Sequence, residues 1–522
     1  MNRGTIQNVR ALLISTYDLG RQPFGLASPA AWLREAGVDV TCIDLSRQQL
    51  PEDAVRAAGF IAFFLPMHTA TRLALPVIDR VRSLNAAAAL CAYGLYASLN
   101  ASLLRERGVT HIVAGEFEEA LRDLAVSPDL DNPRESASRV DPPESAFRDD
   151  PRESAFRDDP RESAFRDDPR ESAFRENPRE SAFRDNPRES AFRENPRESA
   201  FRENPRGSAS RLEFRIPDRS TLPPLSRYAT LQIGDERRVT GYTETSRGCK
   251  HRCRHCPIVP VYDGRFRIVP VATVMSDVRA QVEAGARHIT FGDPDFFNGI
   301  GHATAVLEAF ARQVPGVSYD VTIKVEHLIK QAHVLPLLRD TGCAFVTPAV
   351  ESVDDAVLGR LEKGHTQSDF ERVVALFRGI DLALSPTFVP FTPWTTLESY
   401  CELLRTIDRL ELVDSVAPIQ LAIRLLVTEG SRLLELPEIR SLCCRFDMRS
   451  LTYPWKHADP RVDALQERIA AAVGIRLKAP RREVFSHVWR LAHEAAGGGA
   501  LPERRDVRPR TSVPYLNEPW YC

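Results

Sequence analysis

From Pro133 to Arg211 a nine-residue unit recurs, seen best as "PRESAFRDD" and "PRESAFREN". Each copy brings a proline, which removes a backbone donor and restricts the residue before it, so no long helix can run through the array. A copy offers at most one Phe among many charges, too little apolar area to offset the entropy of ordering it. Solenoid repeats are normally 20 or more residues long because each must bury a face. The segment therefore reads as a disordered polyampholyte linker, with a partner-binding array as the alternative. It divides the chain into two parts that must each build their own core.

Ahead of the repeat, apolar runs alternate with helical patterns. "ALLIST", "VDVTCIDLS", "GFIAFFLP" and "AALCAYG" read as strands, with "PAAWLREAG" and "LALPVIDRVRSLN" as helices between them. "THIVAGEFEEALRDLA" adds a strand, a turn and a helix. This βαβα order predicts a parallel sheet covered on both faces, a Rossmann-like domain over residues 1–130. Ligands in such folds sit at the carboxyl ends of strands, although a sheet with no ligand would carry the same pattern.

After the repeat (131–211) the rhythm resumes. "RVTGYTETS", "HITFGD", "SYDVTIK", "CAFVTPAVES", "LALSPTFVP" and "PIQLAIRLLV" are strand candidates. "VATVMSDVRAQVEAG", "HVLPLLRDTG" and "DDAVLGRLEKG" are helices between them, closing on Gly as helix ends prefer. The whole is an α/β chain: six βα-like units predict a partial (β/α)6 barrel over 212–430, with its chemistry at the carboxyl ends of the strands. Residues 431–522 read as a helical extension and tail.

At 522 residues the chain can bury a large core. A net charge of −2 gives no broad footprint for nucleic acid or an anionic membrane. "MNRGTIQNVRALLIS" lacks a long apolar core followed by small residues, so no signal peptide is expected, and "GFIAFFLP" is too short to span a bilayer. Ten cysteines in such a chain are not a disulfide scaffold, which suits a reducing cytoplasm where thiolates bind metal.

Three of those cysteines, Cys249, Cys253 and Cys256, lie in "TSRGCKHRCRHCP" directly after the first strand of the second part. A structural zinc site wants four ligands, and His251 or His255 could supply the fourth. A 4Fe–4S cluster takes one thiolate per iron, so three cysteines leave one iron open. No fourth Cys lies in this loop; Cys343, Cys401 and the Cys443–Cys444 pair fall in other elements.

The C-x3-C-x2-C spacing after a first barrel strand resembles the radical S-adenosylmethionine superfamily over roughly 238–430. The resemblance implies a radical enzyme, with Cys249, Cys253 and Cys256 as cluster ligands and S-adenosylmethionine on the open iron. It gives His255 to the adenine, and Asp293 and Asp295 of "GDPDFFN" to the methionine end of that cofactor. "VESVDDAVLGRLEKGHT" is similar to a run in elongator-like and cobalamin-dependent members, which places Glu351 and Ser352 at the end of the fourth strand. Read without the resemblance, Asp293, Asp295 and Glu351 are equally helix N-caps. Lys324 and Glu326 are a salt-linked rim or substrate ligands, and His288 is packed in its strand.

"VAGEFEEAL" at 113–121 resembles the V-x-G-E-x-E-x-x-L of cobalamin-binding proteins, making cobalamin a further cofactor candidate. The axial-histidine motif is missing, since "YDLGRQPFG" keeps Asp18 but has Gly20 where His would stand. The expected partners are a small-molecule or peptide substrate and an electron donor such as flavodoxin or ferredoxin, without nucleic acid or membrane. Substrate and catalytic residues are not read from the sequence, and a zinc- or iron–sulfur-stabilised binding or electron-transfer protein is the alternative function. The terminal "PYLNEPWYC" resembles the CUAEP/CCAEP-tail radical SAM family, which implies that Cys522 is followed by selenocysteine, Ala, Glu and Pro.

Overall fold

Strands β1 (Arg10–Ser15), β2 (Asp39–Asp44), β3 (Phe60–Phe64), β4 (Ala89–Tyr93) and β5 (His111–Val113) form one all-parallel sheet in the order β2-β1-β3-β4-β5. The central strands are apolar at nearly every position because both faces are covered. Alternation splits their side chains between two cores. Ala11, Leu13, Phe60, Ala62 and Cys91 meet the helices Phe24–Glu35 and Glu118–Val126. Leu12, Ile14, Ile61, Phe63 and Leu90 meet the helix His68–Leu84. The strand order reverses between β1 and β3, and ligands of open α/β sheets bind at such a switch point.

The computed structural model describes residues 9–127, 213–476, 479–498 and 514–516. The nonapeptide repeat and Cys522 lie outside the described residues, as does most of the terminal segment.

The second part opens with an antiparallel hairpin, β6 (Thr230–Ile233) and β7 (Glu236–Thr243). A small ladder follows, β8 (Ser246–Gly248) against β9 (Phe266–Ile268), and the three cysteines lie in the loop it encloses. Then come β10 (His288–Phe291), β11 (Ser318–Ile323), β12 (Cys343–Glu351), β13 (Ala383–Leu384), β14 (Thr387–Phe388) and β15 (Tyr515–Leu516). The sheet runs β13-β12-β11-β10-β7-β6-β15, parallel from β7 to β13, with β14 on the far end of β12. Helices Val271–Glu283, Ile300–Gln313, Gln367–Gly379 and Leu397–Arg409 cover one face. The helices Pro460–Ile475 and Arg481–Ala495 join the same core through Val462, Leu465, Val484 and Trp489. The result is the expected α/β pair, a parallel sheet and a curled half-barrel.

Two strand expectations are corrected. The run expected at 238–246 stops at Thr243, and Ser246–Gly248 pairs with β9 instead. The sixth strand, expected at 418–427, is a 3-10 turn over Pro418–Leu421 followed by a single parallel bridge from Arg424 to Phe391. Pro418 has no amide hydrogen to give a ladder. The Phe388 amide donates instead to the side chain of Gln420, which fills the pairing position.

Segments 1–141 and 214–522 pack as one compact unit in their described residues. Among the described residues no helix is long and apolar enough to cross a membrane.

Candidate active site

The cysteine loop sits at the carboxyl ends of the barrel strands and is pinned from two sides. From the loop after β10, the Asn298 carbonyl oxygens accept from the Lys250 amide at 3.3 Å and the Lys250 ammonium at 3.2 Å. The Cys249 thiol reaches the same side chain at 3.7 Å. From beyond β12, the Leu361 and Arg360 carbonyls accept from Arg254, and Glu362 pairs with its guanidinium at 2.7 Å. Cys249 and Cys253 are buried, Cys256 is half-buried, and all three are free thiols.

Burial raises the Cys249 thiol above its ordinary range and pushes Cys256 up to about 12, with the neighbouring thiols adding to both. The buried Lys363 ammonium works in the opposite direction on Cys256. Three mutually close, desolvated sulfurs beside one lysine are a soft donor set that gains from a multiply charged centre. Such a set fits the cluster the sequence implies. Both histidines that zinc would need lean on carboxylates: His255 Nε2 is 3.4 Å from Glu351, and His251 Nε2 is 3.5 Å from Asp295.

Glu351 ends β12 at a bulge, with φ +68, a conformation rare for a side chain of this kind. Its carboxylate pairs with Lys363 at 3.2 Å and with His255. Burial would raise its pKa, but Lys363 and then His255 hold it well below the carboxylate range. The next residue, Ser352, accepts from the Asp354 amide at 3.0 Å, and both line a small pocket with Thr392 and Tyr400. His365 is buried between these groups with both ring nitrogens unpartnered. Burial, then Lys363 and Lys324, depresses its pKa to about 4, so the imidazole is neutral.

Asp293 and Asp295 do not cap helices through their side chains. Asp293 accepts from the Thr245 amide (3.0 Å), the Thr245 hydroxyl (2.7 Å) and the Ser246 hydroxyl (2.5 Å), tying β10 to the strand that leads into the cysteines. Asp295 is fully buried and lies 2.6 Å from His327. Burial acts against its charge, yet His251 and His327 keep it below the carboxylate range. His288 bonds Ser318 and Asp320 within the sheet, as a packed strand residue. Lys324 and Glu326 are salt-linked at 3.4 Å.

The carboxyl edge of the first sheet meets this loop through Arg247. Its buried guanidinium contacts Glu244 at 2.8 Å, Glu118 at 2.5 Å and Glu116 at 3.2 Å, the last two being the acids at the fixed E-x-E positions of "VAGEFEEAL". One cation cannot balance three carboxylates. Glu118 stays ionised, while burial pushes Glu116 up and Glu244 up to about 7. Arg247, Lys363, His327 and His365 were not singled out from sequence; Arg247, Lys363 and His365 fall inside the quoted motifs, whereas His327 lies outside all of them. A separate cleft lined by Arg238, Val317 and Cys343 lies at the amino ends of β11 and β12, far from this chemistry.

Residues 243–406 match the model of the Radical SAM superfamily. The chain carries a radical SAM domain. Members of that superfamily use a 4Fe–4S cluster and S-adenosylmethionine. Over 164 residues the chain is 29% identical to a tRNA-2-methylthio-N(6)-dimethylallyladenosine synthase of Chlorobium luteolum (strain DSM 273 / BCRC 81028 / 2530), covering 30% of this chain and 36% of that protein. Over 175 residues it is 26% identical to the ribosomal protein uS12 methylthiotransferase RimO of Desulfosudis oleivorans (strain DSM 6200 / JCM 39069 / Hxd3), covering 31% and 39%. The similarity thus spans little more than a third of each relative. The fold is similar to that of the cobalamin-dependent S-adenosylmethionine radical enzyme OxsB with aqua-cobalamin and S-adenosylmethionine bound. The TM-score is 0.64 at 14% identity, over 94% of this chain and 72% of that one. The radical SAM domain accordingly sits beside a parallel sheet of the same general architecture.

Proposed function

We propose that the protein is a radical SAM enzyme whose cluster is held by Cys249, Cys253 and Cys256, and that its first sheet holds cobalamin for methyl transfer. The observation that supports this reading is the arrangement of the two sheets: the cysteine loop lies at the carboxyl ends of β7 and β10–β12, and Arg247 joins it to the carboxyl end of β5. When bound, the cluster and S-adenosylmethionine supply a 5′-deoxyadenosyl radical or a methyl group.

The chain's own residues do the remaining work. Lys363 and Glu351 hold opposite charges against the cysteine loop, and His255 stands over Glu351 with one nitrogen unpartnered. His365, neutral and unpartnered, is available to accept a proton or hydrogen bond at the barrel mouth. Asp293 and Asn298 orient the loop. With Gly20 two residues after Asp18, where the cobalamin motif carries its histidine, this segment would offer bound cobalamin no imidazole. A net charge of −2 favours a small molecule or peptide over RNA as substrate.

Anaerobic purification with cobalamin present tests the reading. It expects a brown protein with about four iron and four sulfide per chain and one cobalamin whose spectrum lacks imidazole ligation. Colourless zinc-loaded protein overturns the cluster assignment, and absence of bound cobalamin overturns the second cofactor alone.

A further inference from the structure

Beside the cysteine loop, three side chains from three elements converge. His251 lies between Cys249 and Cys253, Asp295 follows β10, and His327 follows β11 in the short helix Val325–Lys330. His251 Nε2 and His327 Nε2 are 3.3 Å apart, with ring centroids 4.7 Å apart. Asp295 Oδ2 is 3.5 Å from His251 Nε2 and 2.6 Å from His327 Nδ1. One ligand atom from each residue lies within 4.8 Å of the others.

Burial makes this arrangement costly as it stands. Asp295 is 0% exposed and His327 3%. Asp295 Oδ2 and His327 Nδ1, although close, lack the alignment of a hydrogen bond, and the other group beside Oδ2 is His251 Nε2 at 3.5 Å, likewise not aligned. Buried polar atoms without an aligned hydrogen bond are destabilising. Two imidazoles and a carboxylate oxygen converge as the ligands of one cation do, which bond at about 2.0–2.2 Å, and His327 can offer either ring nitrogen, Nδ1 on the Asp295 side or Nε2 on the His251 side.

We propose that His251, Asp295 and His327 bind one divalent transition-metal ion of the zinc or ferrous class, separate from the centre held by the cysteines. Two nitrogens and one oxygen suit these borderline ions better than calcium or magnesium. Glu326 lies 3.7 Å from His251 Nδ1, where an outer carboxylate orients a ligating ring. The ammonium groups nearby, Lys324 and Lys330, are drawn to that same Glu326. The ion takes the Asp295 carboxylate that the family resemblance gave to the methionine end of the cofactor. It ties the cysteine loop to the ends of β10 and β11, and it stands whether or not the cysteines carry a cluster.

The test uses the full-length chain with Cys249, Cys253 and Cys256 all replaced by Ala, stripped of metal and titrated with Co2+. The expected result is one Co2+ per chain with visible d–d bands, displaced by Zn2+. Adding His327→Gln should weaken binding at least tenfold, with circular dichroism unchanged. No saturable Co2+ binding by the folded triple variant overturns the site, as does binding that His327→Gln leaves unaltered. If the triple variant does not fold, metal analysis of the cluster-loaded protein decides. One metal ion beyond the cluster iron, lost in His327→Gln while the cluster absorption persists, supports the site; no such ion overturns it.

Discussion

Asp18, buried after β1, and Glu244, half-buried after β7, are acids that repel one another across the junction of the two sheets. Burial, partly offset by Arg21, raises Asp18 to about 7. A raised carboxyl costs nothing below its unfolded value near 4. Between about pH 4 and 7 the unfolded chain sheds a proton that the folded chain keeps, so stability falls as pH rises, and the penalty is constant above 7. Asp18→Asn should therefore match the wild type near pH 4 and exceed it by roughly 2–4 kcal/mol at pH 8; parallel denaturation curves across this range would contradict it. Arg247 shows the opposite case. Arg247→Met leaves the buried Glu118 and the half-buried Glu244 without their cation and should cost about 3–5 kcal/mol, read as a lower melting temperature. Lysine at that position should recover only part, lacking the guanidinium fork. The cysteines were legible at this scale because their spacing is local. The partners of Glu351, Asp295 and Arg247 were not, since Lys363, His327 and Glu118 reach them only through the fold.

The ladder β8–β9 frames the cysteine loop, and Gly248 makes it possible. Its φ is +74, and a side-chain carbon there would overlap the Arg265 carbonyl and the Tyr262 ring. Gly248→Ala should destabilise the protein by about 1–3 kcal/mol and lower iron incorporation in proportion. Full iron content in a protein of unchanged melting temperature would show that the loop does not depend on this turn. The buried parallel strands were legible as apolar runs, and the helices between them by their period. The break after Thr243 was not, because Glu244–Ser246 continues the alternation of β7 while its side chains serve Arg247 and Asp293. Nor was the loss of the sixth strand, where a glutamine side chain stands in for backbone pairing.

At the scale of the whole molecule, the order of strands predicted a parallel sheet followed by a partial barrel, and that architecture is observed. The described residues on either side of the repeat pack together. Deleting about residues 133–205 should therefore leave melting temperature and cofactor cleavage unchanged; loss of either would give the repeat a structural role. The contact between the halves was not legible, because no local pattern says that Glu116 and Glu118 will meet Arg247. The cysteine loop is proposed to carry a catalytic cluster. The most direct test is to reduce the anaerobically reconstituted protein with S-adenosylmethionine and measure 5′-deoxyadenosine, alongside Cys249→Ala, Cys253→Ala and Cys256→Ala. The wild type should yield 5′-deoxyadenosine and each of the three variants none. Its absence from a wild type with full iron and sulfide would show that the cluster is not catalytic, and its persistence in one variant would remove that cysteine from the ligand set.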